Sequence, residues 1–247
     1  MTVTLALAGD TMLGRGVAST LARTPPTALV APEVRAALAQ ADLVVLNLEC
    51  CISERGQPWA APGKPFFFRA SPKAVELLVL LGTDCVTLAN NHALDYGADA
   101  LADTLDHLAA AGIATVGAGA DLDQARRPAV LTAGQLRVAV LGVTDHPADF
   151  AAGPERPGVA FADLGRQVPD WLPQTVRKAA ARADVTLVTP HWGPNMTTAP
   201  VGHVRRAAAA LVDAGATLVA GHSAHVPHGV AGRVLYDLGD FLDDYRV

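Results

Sequence analysis

Thr2-Val3-Thr4-Leu5-Ala6-Leu7-Ala8-Gly9-Asp10 is an apolar stretch that runs straight into a carboxylate. The same arrangement recurs along the chain, where an apolar, strand-like run ends in a short polar loop. These loops are Gly9-Asp10, Asn47-Leu48-Glu49, Asn90-Asn91-His92, His191-Trp192-Gly193 and Gly221-His222-Ser223-Ala224-His225. Buried parallel strands present their carboxyl ends at one edge of a sheet. The pattern therefore predicts an α/β fold in which these loops leave one edge of a sheet and share a crevice.

Length and composition favour a single globular domain. The chain has 247 residues, of which 51% are hydrophobic and 17% charged. This balance is typical of a compact protein with a large core rather than of a disordered segment. Folds of the α/β class commonly reach roughly 200 to 250 residues as one unit. We therefore predict that residues 1–247 form one domain.

Charge and hydropathy argue against two classes of partner. The net charge is −5, and only three of the 19 basic residues are lysines, so the sequence offers no basic stripe for a run of phosphates. No apolar run reaches the roughly 20 residues of a membrane helix, and no signal-peptide pattern follows Met1. We predict no nucleic-acid partner, no membrane segment in this chain and a cytoplasmic location.

The cysteines indicate a reducing compartment. Cys50, Cys51 and Cys85 have no CxxC spacing and cannot all pair with one another. Free cysteine commonly packs as a small apolar side chain. We therefore predict that the adjacent pair Cys50-Cys51 packs in the core and does not bind a metal as thiolate.

Strand-like and helix-like segments alternate along most of the chain, as expected for βα units. One exception is a pair of β-type runs, 129–132 and 136–143, whose short connection predicts a hairpin. The sheet is therefore predicted to be mixed, and a last strand is expected at 234–238. Two long loops, 59–68 and 147–157, are candidates for a lid over the crevice, although plain insertions look the same in sequence.

Two acidic residues follow apolar strands directly. Asp10 is placed to bind a metal or to act as a base, although capping of the next helix is a common alternative role for Asp. Glu49 ends a run that otherwise predicts full burial, and a buried carboxylate is costly unless it is paired or bound to a cation. For Glu49 the alternative is a salt bridge at the rim of the sheet.

Amides and imidazoles complete the predicted crevice. The triplet Asn90-Asn91-His92 leaves a strand directly and suits the binding of a developing oxyanion or a phosphate. A turn-forming role explains one Asn of the triplet but not the whole of it. His191, His222 and His225 follow the last two core strands. Together with the carboxylates, these ligand types suit one or two divalent cations.

Other polar residues lie close to these motifs in sequence. Arg15 follows Asp10 closely, where a guanidinium can bind a carboxylate or phosphate in a bidentate manner, but exposure without a partner is the alternative. His146 and His228 are interpreted as ordinary surface residues. The acidic run 237–244 is interpreted as solvated, apart from the turn Gly239-Asp240-Phe241, which is predicted to help shape the pocket.

The motifs resemble those of the bacterial CapA, or poly-γ-glutamate capsule synthesis, proteins of the calcineurin-like metallophosphoesterase superfamily. The resemblance implies a four-layer α/β/β/α sandwich of the metallophosphoesterase type, with mixed sheets and the functional residues at strand ends. The resemblance spans nearly the whole chain, and the motifs occur in the same order as in the family. The matching segments are Gly9-Asp10-Thr11-Met12-Leu13-Gly14-Arg15, Asn47-Leu48-Glu49, Ala89-Asn90-Asn91-His92 with Asp95-Tyr96-Gly97, His191-Trp192-Gly193, Gly221-His222-Ser223-Ala224-His225 and Tyr236-Asp237-Leu238-Gly239-Asp240-Phe241.

The chain departs from the superfamily pattern at several positions. Met12 stands where ordinary metallophosphoesterases have the His of Asp-x-His, as is typical of the CapA-like branch. This implies that the metal site either has one ligand fewer or is lost. The usual Glu after His-Trp-Gly is missing, and Ser223 replaces the usual second His of Gly-His-His-Pro-His. Family chains commonly continue past Gly239-Asp240-Phe241, which implies either that the C-terminal strands are lacking or that the sequence is shortened.

The resemblance implies a metal-dependent hydrolase of phosphoesters, or of poly-γ-glutamyl or other amides and peptides, in capsule or poly-γ-glutamate metabolism. Its ions are expected to be Mn, Fe or Zn, and its substrate a small molecule, a peptide or a polymer. The predicted metal ligands are Asp10, Glu49, Asn91, His191, His222 and His225. His92, Asp10 and His222 are predicted to be catalytic. Arg15, Asn90 and Trp192 are predicted to contact the substrate.

Two alternatives remain open at this point. A metal-independent enzyme on the same fold, such as a peptide or amino-acid epimerase, uses Asp10 and a facing His as its two bases. A non-catalytic capsule-assembly factor binds an anionic polymer or a membrane partner. For this last hypothesis, the net charge of −5 provides no overall electrostatic attraction to an anionic partner.

Overall fold

The structure is a computed structural model that describes residues 2–60 and 63–245. The helices are α1 (Arg15–Leu21), α2 (Pro32–Leu38), α3 (Ala74–Leu80), α4 (Gly97–Ala110), α5 (Leu122–Ala125), α6 (Trp171–Ala180) and α7 (Gly202–Asp213). The strands are β1 (Leu5–Thr11), β2 (Leu43–Leu48), β3 (Cys51–Ile52), β4 (Arg69–Ala70), β5 (Cys85–Thr87), β6 (Ala114–Val116), β7 (Ala118–Gly119), β8 (Ala129–Ala133), β9 (Leu136–Thr144), β10 (Gly158–Val159), β11 (Val185–His191), β12 (Leu218–Ala220), β13 (Val230–Ala231), β14 (Val234–Leu235) and β15 (Asp240–Leu242). This element order confirms the predicted mixed α/β class.

The first sheet is entirely parallel and holds the amino-terminal βα units. Its strand order is β15-β1-β2-β5-β6, and each neighbouring pair runs parallel. Strand β2 is buried along its whole length, as expected for a parallel strand that is covered on both faces. The carboxyl ends of β1, β2 and β5 therefore lie side by side.

The second sheet is mixed. Its strand order is β13-β14-β12-β11-β9-β8, with parallel pairing from β14 to β9 and an antiparallel pair at each edge. The hairpin predicted for 129–132 and 136–143 is confirmed as β8 and β9. The prediction of mixed pairing is therefore also confirmed.

Three large hydrophobic clusters hold the sheets and helices together. One cluster lies between the two sheets and contains Val45 from the first sheet and Leu187 from the second. A second joins the other face of the first sheet to its helices through Leu77 and Leu101. A third joins the second sheet to α6 and α7 and includes Val176 and Leu211. Each sheet thus packs helices on one side and the other sheet on the opposite side.

The cysteines belong to these cores. Cys50, Cys51 and Cys85 are free thiols with no solvent exposure. Burial raises the pKa of all three, to about 12 for Cys51 and Cys85. They remain neutral thiols, which confirms the prediction that Cys50-Cys51 packs in the core.

The prediction that all the polar loops leave one sheet is wrong. Asp10 lies near the end of β1 and Glu49 directly follows β2 in the first sheet, whereas His191 ends β11 and His222 comes after β12 in the second. The loops still meet because the sheets pack face to face through apolar side chains. Across this junction, Asn47 Nδ2 lies 3.3 Å from His191 Nδ1.

The predicted last strand, 234–238, is also wrong in extent. Strand β14 ends at Leu235, and the chain then turns at Gly239, which has φ 71°. Buried Asp237 holds this turn by accepting hydrogen bonds from the backbone N–H groups of Ala224 and Gly239, both at 2.8 Å. Strand β15 then joins the first sheet, where Asp240 is the register partner of Asp10. Asp237 is therefore not solvated, contrary to its interpretation from sequence.

Candidate metal centre

Asp10 lies at the centre of the polar cluster and is fully buried. Its Oδ1 accepts a hydrogen bond from Asn47 Nδ2 (2.7 Å), and its Oδ2 accepts one from the backbone N–H of Ser223 (3.3 Å). His225 Nδ1 lies 3.0 Å from Oδ2, and His222 Nδ1 lies 3.4 Å from Oδ1. Burial alone raises the pKa of Asp10, but the two imidazoles outweigh it and hold this pKa well below its ordinary value. Asp10 is therefore an ionised carboxylate.

Glu49 is buried beside Asp10 without any hydrogen-bond partner for its carboxylate. Both oxygens are unpartnered among the described residues, and the Nε2 atoms of His92 and His191 each lie 3.8 Å from Oε1. Burial, and then the charge of Asp10, raises the pKa of Glu49 well above its ordinary value. One donor atom each from Asp10, Glu49 and His191 lie within 4.8 Å of one another. This spacing is compact enough to hold a metal ion.

Two further predicted ligands also present unpartnered atoms. His222 Nδ1 and Asn91 Oδ1 are buried and have no hydrogen-bond partner among the described residues. His191 is buried, and this burial holds its pKa well below the ordinary value. A neutral imidazole is the form that binds metals. The polar cluster thus carries possible metal-ligand atoms that no described residue satisfies.

His92 is held in a fixed orientation by Asp95. His92 Nδ1 lies 2.6 Å from Asp95 Oδ2, and Lys64 Nζ lies 3.0 Å from the other oxygen of this carboxylate. Burial lowers the pKa of His92, although Asp95 opposes the shift. Asn90 accepts a hydrogen bond from the backbone N–H of His92 (3.0 Å). The resting ring is therefore a neutral imidazole whose Nε2 faces Glu49.

His225 lies between two carboxylates. Its Nδ1 is 3.0 Å from Asp10 Oδ2 and 2.9 Å from Asp240 Oδ1. Burial opposes its charge, but Asp10 and Asp240 outweigh burial and raise the pKa of His225 to about 11. In the metal-free protein this ring is an imidazolium.

The metal-free protein is expected to lose stability as pH rises above 6.5. The folded-state pKa of His225, about 11, lies above its ordinary value of 6.5. The contribution of the imidazolium is therefore complete below 6.5 and disappears as pH approaches 11. Urea midpoints at two pH values inside this window should fall more for the wild type than for His225→Gln. Equal falls in both proteins would contradict this assignment.

A cavity of about 420 Å³ opens onto the cluster. Polar groups from Asn91, His92, His146 and His225 line one part of it, and Lys64 supplies a cation. Aromatic and proline side chains from the two predicted long loops line another part, among them Trp59, Phe66, Pro147 and Phe150. Residues 61 and 62 of the first loop lie outside the described residues. The loops therefore form walls of the cavity.

Two residues predicted to contact the substrate lie elsewhere. Trp192 is 2% exposed and packs in the core of the second sheet, where its Nε1–H donates a hydrogen bond to the carbonyl oxygen of Tyr236 (2.9 Å). Arg15 does not line the cavity. Its guanidinium lies over Phe66, 5.1 Å from the ring centroid, and its Nε is 3.7 Å from Asp244 Oδ2. Trp192 is therefore buried away from the cavity, whereas Arg15 lies beside its aromatic wall with 39% of its side chain exposed.

The side chains of Asn90 and Met12 face the protein interior rather than the cavity. Asn90 is fully buried, and its Nδ2 donates hydrogen bonds to Asn47 Oδ1 and to the carbonyl oxygen of Leu48, both at 2.9 Å. Its hydrogen-bonding groups are thus directed at the protein rather than at the cavity. Met12 is 1% exposed in the core between the first sheet and its helices. It therefore neither contributes a ligand nor lines the cavity.

One pair near the cavity was not predicted as functional. The imidazole of His146 hydrogen-bonds Asp145, and the other oxygen of Asp145 lies 3.1 Å from His203 Nε2. The His146 ring also lies 5.2 Å from the His191 ring, by centroids. Asp145-His146 follows β9 directly, so the strand-end pattern that located the other loops also applies here. The interpretation of His146 as an ordinary surface residue missed this position.

Fold and site together define an α/β protein with a buried carboxylate–imidazole cluster where the ends of two sheets meet. A family model described as "Bacterial capsule synthesis protein PGA_cap" matches residues 4–245. The chain belongs to this family.

Curated relatives carry names from capsule and polymer synthesis. A "Probable polyglutamine synthesis accessory protein" of Mycobacterium tuberculosis is 39% identical over 220 residues, which are 83% of this chain and 56% of the relative. "PGA biosynthesis protein CapA" of Bacillus subtilis is 31% identical over 96% of this chain and 62% of the relative. "Capsule biosynthesis protein CapA" of Bacillus anthracis is 31% identical over 98% and 60%. The chain thus spans less than two thirds of the length of these relatives.

A solved structure shares the fold. A hypothetical protein from Thermus thermophilus matches with a TM-score of 0.53 and 18% identity, over 98% of this chain and 78% of that one. At this identity the match concerns the fold alone. Within residues 2–60 and 63–245, no helix combines the length and the apolar character that a membrane crossing requires.

Proposed function

We propose that this protein is a metal-dependent hydrolase that cleaves a phosphoester or an amide bond, including γ-glutamyl amides, in capsule or poly-γ-glutamate metabolism. The observation that carries the proposal is Glu49, a fully buried carboxylate whose two oxygens have no partner among the described residues. Burial of an unpaired carboxylate is costly, and a bound cation removes the cost. The names of the Bacillus relatives support the metabolic context.

The residues fit a divalent ion of the borderline class. Carboxylate, amide and imidazole donors together suit Mn, Fe or Zn better than an all-oxygen or all-thiolate set does. Unpartnered buried atoms occur at Glu49, Asn91 and His222, which are three of the predicted ligands. We propose that the complete set is Asp10, Glu49, Asn91, His191, His222 and His225. A bound ion would polarise the scissile group and lower the pKa of water.

We propose that His92 transfers the proton during the reaction. Its ring is fixed by Asp95 and is neutral in the resting state because burial lowers its pKa. A neutral Nε2 accepts the proton that the attacking water loses and then returns it to the leaving group, so the imidazole ends each cycle unchanged. Asp10 and His222 act beside it as ligands that stabilise the charge of the bound cation.

The cavity suits the part of the substrate that does not react. Aromatic side chains line part of it, and Lys64 lines it too, in the role predicted for Arg15, with its Nζ 3.0 Å from Asp95 Oδ1. A lysine ammonium there favours a substrate with an anionic group.

We also propose that residues 1–247 form one domain and that this domain is a four-layer α/β/β/α sandwich, because helices pack on the outer face of each sheet.

Metal analysis is the direct test of the proposal. The purified wild type is expected to contain Mn, Fe or Zn in stoichiometric amount, and a chelator should remove the ion together with activity on chromogenic phosphoesters or γ-glutamyl anilides. Re-addition of the ion should restore that activity. Full activity of a metal-free protein would instead favour the acid–base alternative, which the close pair of Asp10 and His225, at 3.0 Å, also supports.

Glu49→Gln is expected to lower the bound metal by at least one equivalent per chain. The substitution keeps the shape of the side chain but removes the charge that a cation requires. Glu54→Gln is the matched control, because Glu54 is exposed and lies only five residues further along the chain. Elemental analysis of both variants after reloading with Mn(II) measures the difference. Equal metal content in both variants would overturn the role of Glu49.

A further inference from the structure

A second concave surface lies on the face of the second sheet that packs against α6. This α6–β8 groove has a volume of about 300 Å³ and is lined mainly by residues of α6 and of the edge strand β8. Val130 of β8 and Ala139 of β9 are register partners, and they line the groove together with Thr175 and Ala179 of α6. No described residue lines both this groove and the cavity at the candidate metal centre. The groove is therefore a separate surface.

Strand β8 leaves an open sheet edge beside the α6–β8 groove. Within the described part of the chain it pairs only with β9, so its alternate N–H and C=O groups point away from the sheet. No backbone hydrogen bond joins residues 129–133 to any described residue outside β9. Val130, at the middle of this edge, is 59% exposed.

The edge of β8 is not blocked in the usual ways. Proteins commonly protect an edge strand with a charged residue, a proline or a bulge. Strand β8 has the sequence Ala-Val-Leu-Thr-Ala, and its pairing with β9 runs without a register shift. The backbone of this strand is therefore able to pair with another strand.

Cations flank this open edge. Arg127, Lys178 and Arg182 are exposed and line the α6–β8 groove, and none of them forms an ion pair with a described carboxylate. The dipole of α6 by itself favours a cation such as Lys178 in the last turn. It does not account for Arg127, which comes from the segment before β8.

The two segments that build the groove differ in charge from the rest of the chain. Residues 124–144 and 171–183 contain six basic residues and no acidic residue, although the net charge of the chain is −5. The groove therefore attracts anionic groups, whereas the protein as a whole repels them. Because the two segments are distant in sequence, no local run of residues reveals this patch.

We propose that the α6–β8 groove binds an acidic segment of a partner protein, which pairs with β8 as an added strand. In this mode of recognition main-chain hydrogen bonds give affinity and side chains at alternate positions give specificity. Pairing with the five residues of β8 spans about 17 Å. Successive side chains of a strand point to opposite faces, so acidic residues at alternate positions of the partner face Lys178 and Arg182.

Two other occupants fit the groove less well. A nucleic acid supplies negative charge but has no peptide groups to pair with β8. A second copy of this chain, paired through its own β8, would bring the cations of both grooves together. Like charges on adjacent strands are destabilising. An acidic polypeptide satisfies both the open edge and the cations.

Synthetic peptides test the proposal with the intact chain. The probe is a short fluorescein-labelled peptide in which Glu and Val alternate, and fluorescence anisotropy measures its binding. One derivative is N-methylated at every Glu and another at every Val, so each lacks the N–H groups of one strand edge. The wild type is expected to bind the parent peptide and one derivative, and to bind the other derivative about tenfold more weakly or worse. A peptide with Lys in place of Glu should not bind.

Variants of α6 locate the binding surface. Lys178→Gln is expected to weaken binding of the Glu–Val peptide about threefold, and Arg182→Gln should add to the loss. Arg177→Gln is the matched control, because Arg177 precedes Lys178 in α6 but does not line the groove. It removes the same charge and should bind the peptide as the wild type does. Circular dichroism should be unchanged in all three variants.

Several results would overturn the proposal. Equal losses in Lys178→Gln and Arg177→Gln would show that net charge alone attracts the peptide. Equal binding of the two N-methylated derivatives would exclude pairing with β8. Tighter binding of an oligothymidylate than of the Glu–Val peptide would assign the groove to nucleic acid, and self-association that Lys178→Gln alters in sedimentation would assign it to a second copy. The absence of saturable peptide binding to the wild type would leave the groove without the proposed partner.

Discussion

Asp10→Asn is expected to abolish catalysis and to remove the metal centre. Among residues 2–60 and 63–245, Asp10 is the one carboxylate shared by two compact groups of possible ligand atoms, one with Glu49 and His191 and one with His225 and Asp240. An amide in its place cannot balance the charge of a cation. A bound ion contributes several kcal/mol of charge stabilisation in the transition state, and each 1.4 kcal/mol or so is a factor of ten in rate. We therefore expect activity to fall by about 10³-fold or more, as measured by steady-state kinetics with parallel metal analysis.

Asp42→Asn is the matched control for this experiment. Asp42 lies at the opposite end of the same sheet, where its Oδ2 accepts a hydrogen bond from the backbone N–H of Thr4 (2.7 Å). Asn keeps an acceptor oxygen for this hydrogen bond, so the change should cost at most about 1 kcal/mol of stability and leave metal content and turnover unchanged. Retention of metal and activity by Asp10→Asn would remove the centre of the proposed site.

Gly9→Ala is expected to destabilise the fold by about 3 kcal/mol or more, because overpacking against a rigid backbone is among the most costly substitutions. A β-carbon on Gly9 would collide with the carbonyl oxygen of Gly239 and would also lie 2.9 Å from its carbonyl carbon. These are backbone atoms of the turn that leads into β15, so no side chain can move aside. The free energy of unfolding in urea measures the loss.

Gly229→Ala provides the comparison for Gly9→Ala. A β-carbon at Gly229 meets nothing within 4 Å, and its φ lies outside the left-handed region. We expect this change to be within about 0.5 kcal/mol of the wild type. A loss in Gly9→Ala as small as that of Gly229→Ala would show that β15 moves away from β1 without cost, and Asp240 would then have no fixed position beside Asp10.

The candidate centre depends on the junction of two sheets. Asp10, Glu49 and His92 come from the first sheet, and His191 and His222 come from the second. Parallel strands alone bring together only residues of one sheet. Loss of contact between the sheets, through the cluster that contains Val45 and Leu187, is therefore expected to disperse the ligands as well as to unfold the core.

Much of the candidate site followed from local sequence patterns. An apolar run with a polar end predicts a buried strand and a residue at its carboxyl end, and this rule located Asp10, Glu49, His92, His191 and His222. The same rule applies to Asp145-His146 after β9, but one histidine in a loop looks like any surface residue until its partners are known. In the structure His146 hydrogen-bonds Asp145 and lines the cavity together with Pro147 and Phe150.

Residue type alone did not predict the direction of the Arg15 and Trp192 side chains. Both lie next to functional motifs in sequence, which predicted contact with a substrate. Packing directs Arg15 onto the ring of Phe66 and directs the indole of Trp192 into the core. Side-chain direction depends on neighbours that are distant in sequence, and no local pattern records it.

The sequence by itself determined the α/β class, the strand ends and most of the donor atoms, because the period of apolar residues and the residues that interrupt it are local properties. Only the tertiary structure decided that the strands divide between two sheets and that β15 returns to pair with β1. These are choices of strand partner, and strand partners are selected by the burial of whole faces rather than by any single segment. The place of Asp240 beside Asp10 belongs to this second kind of information.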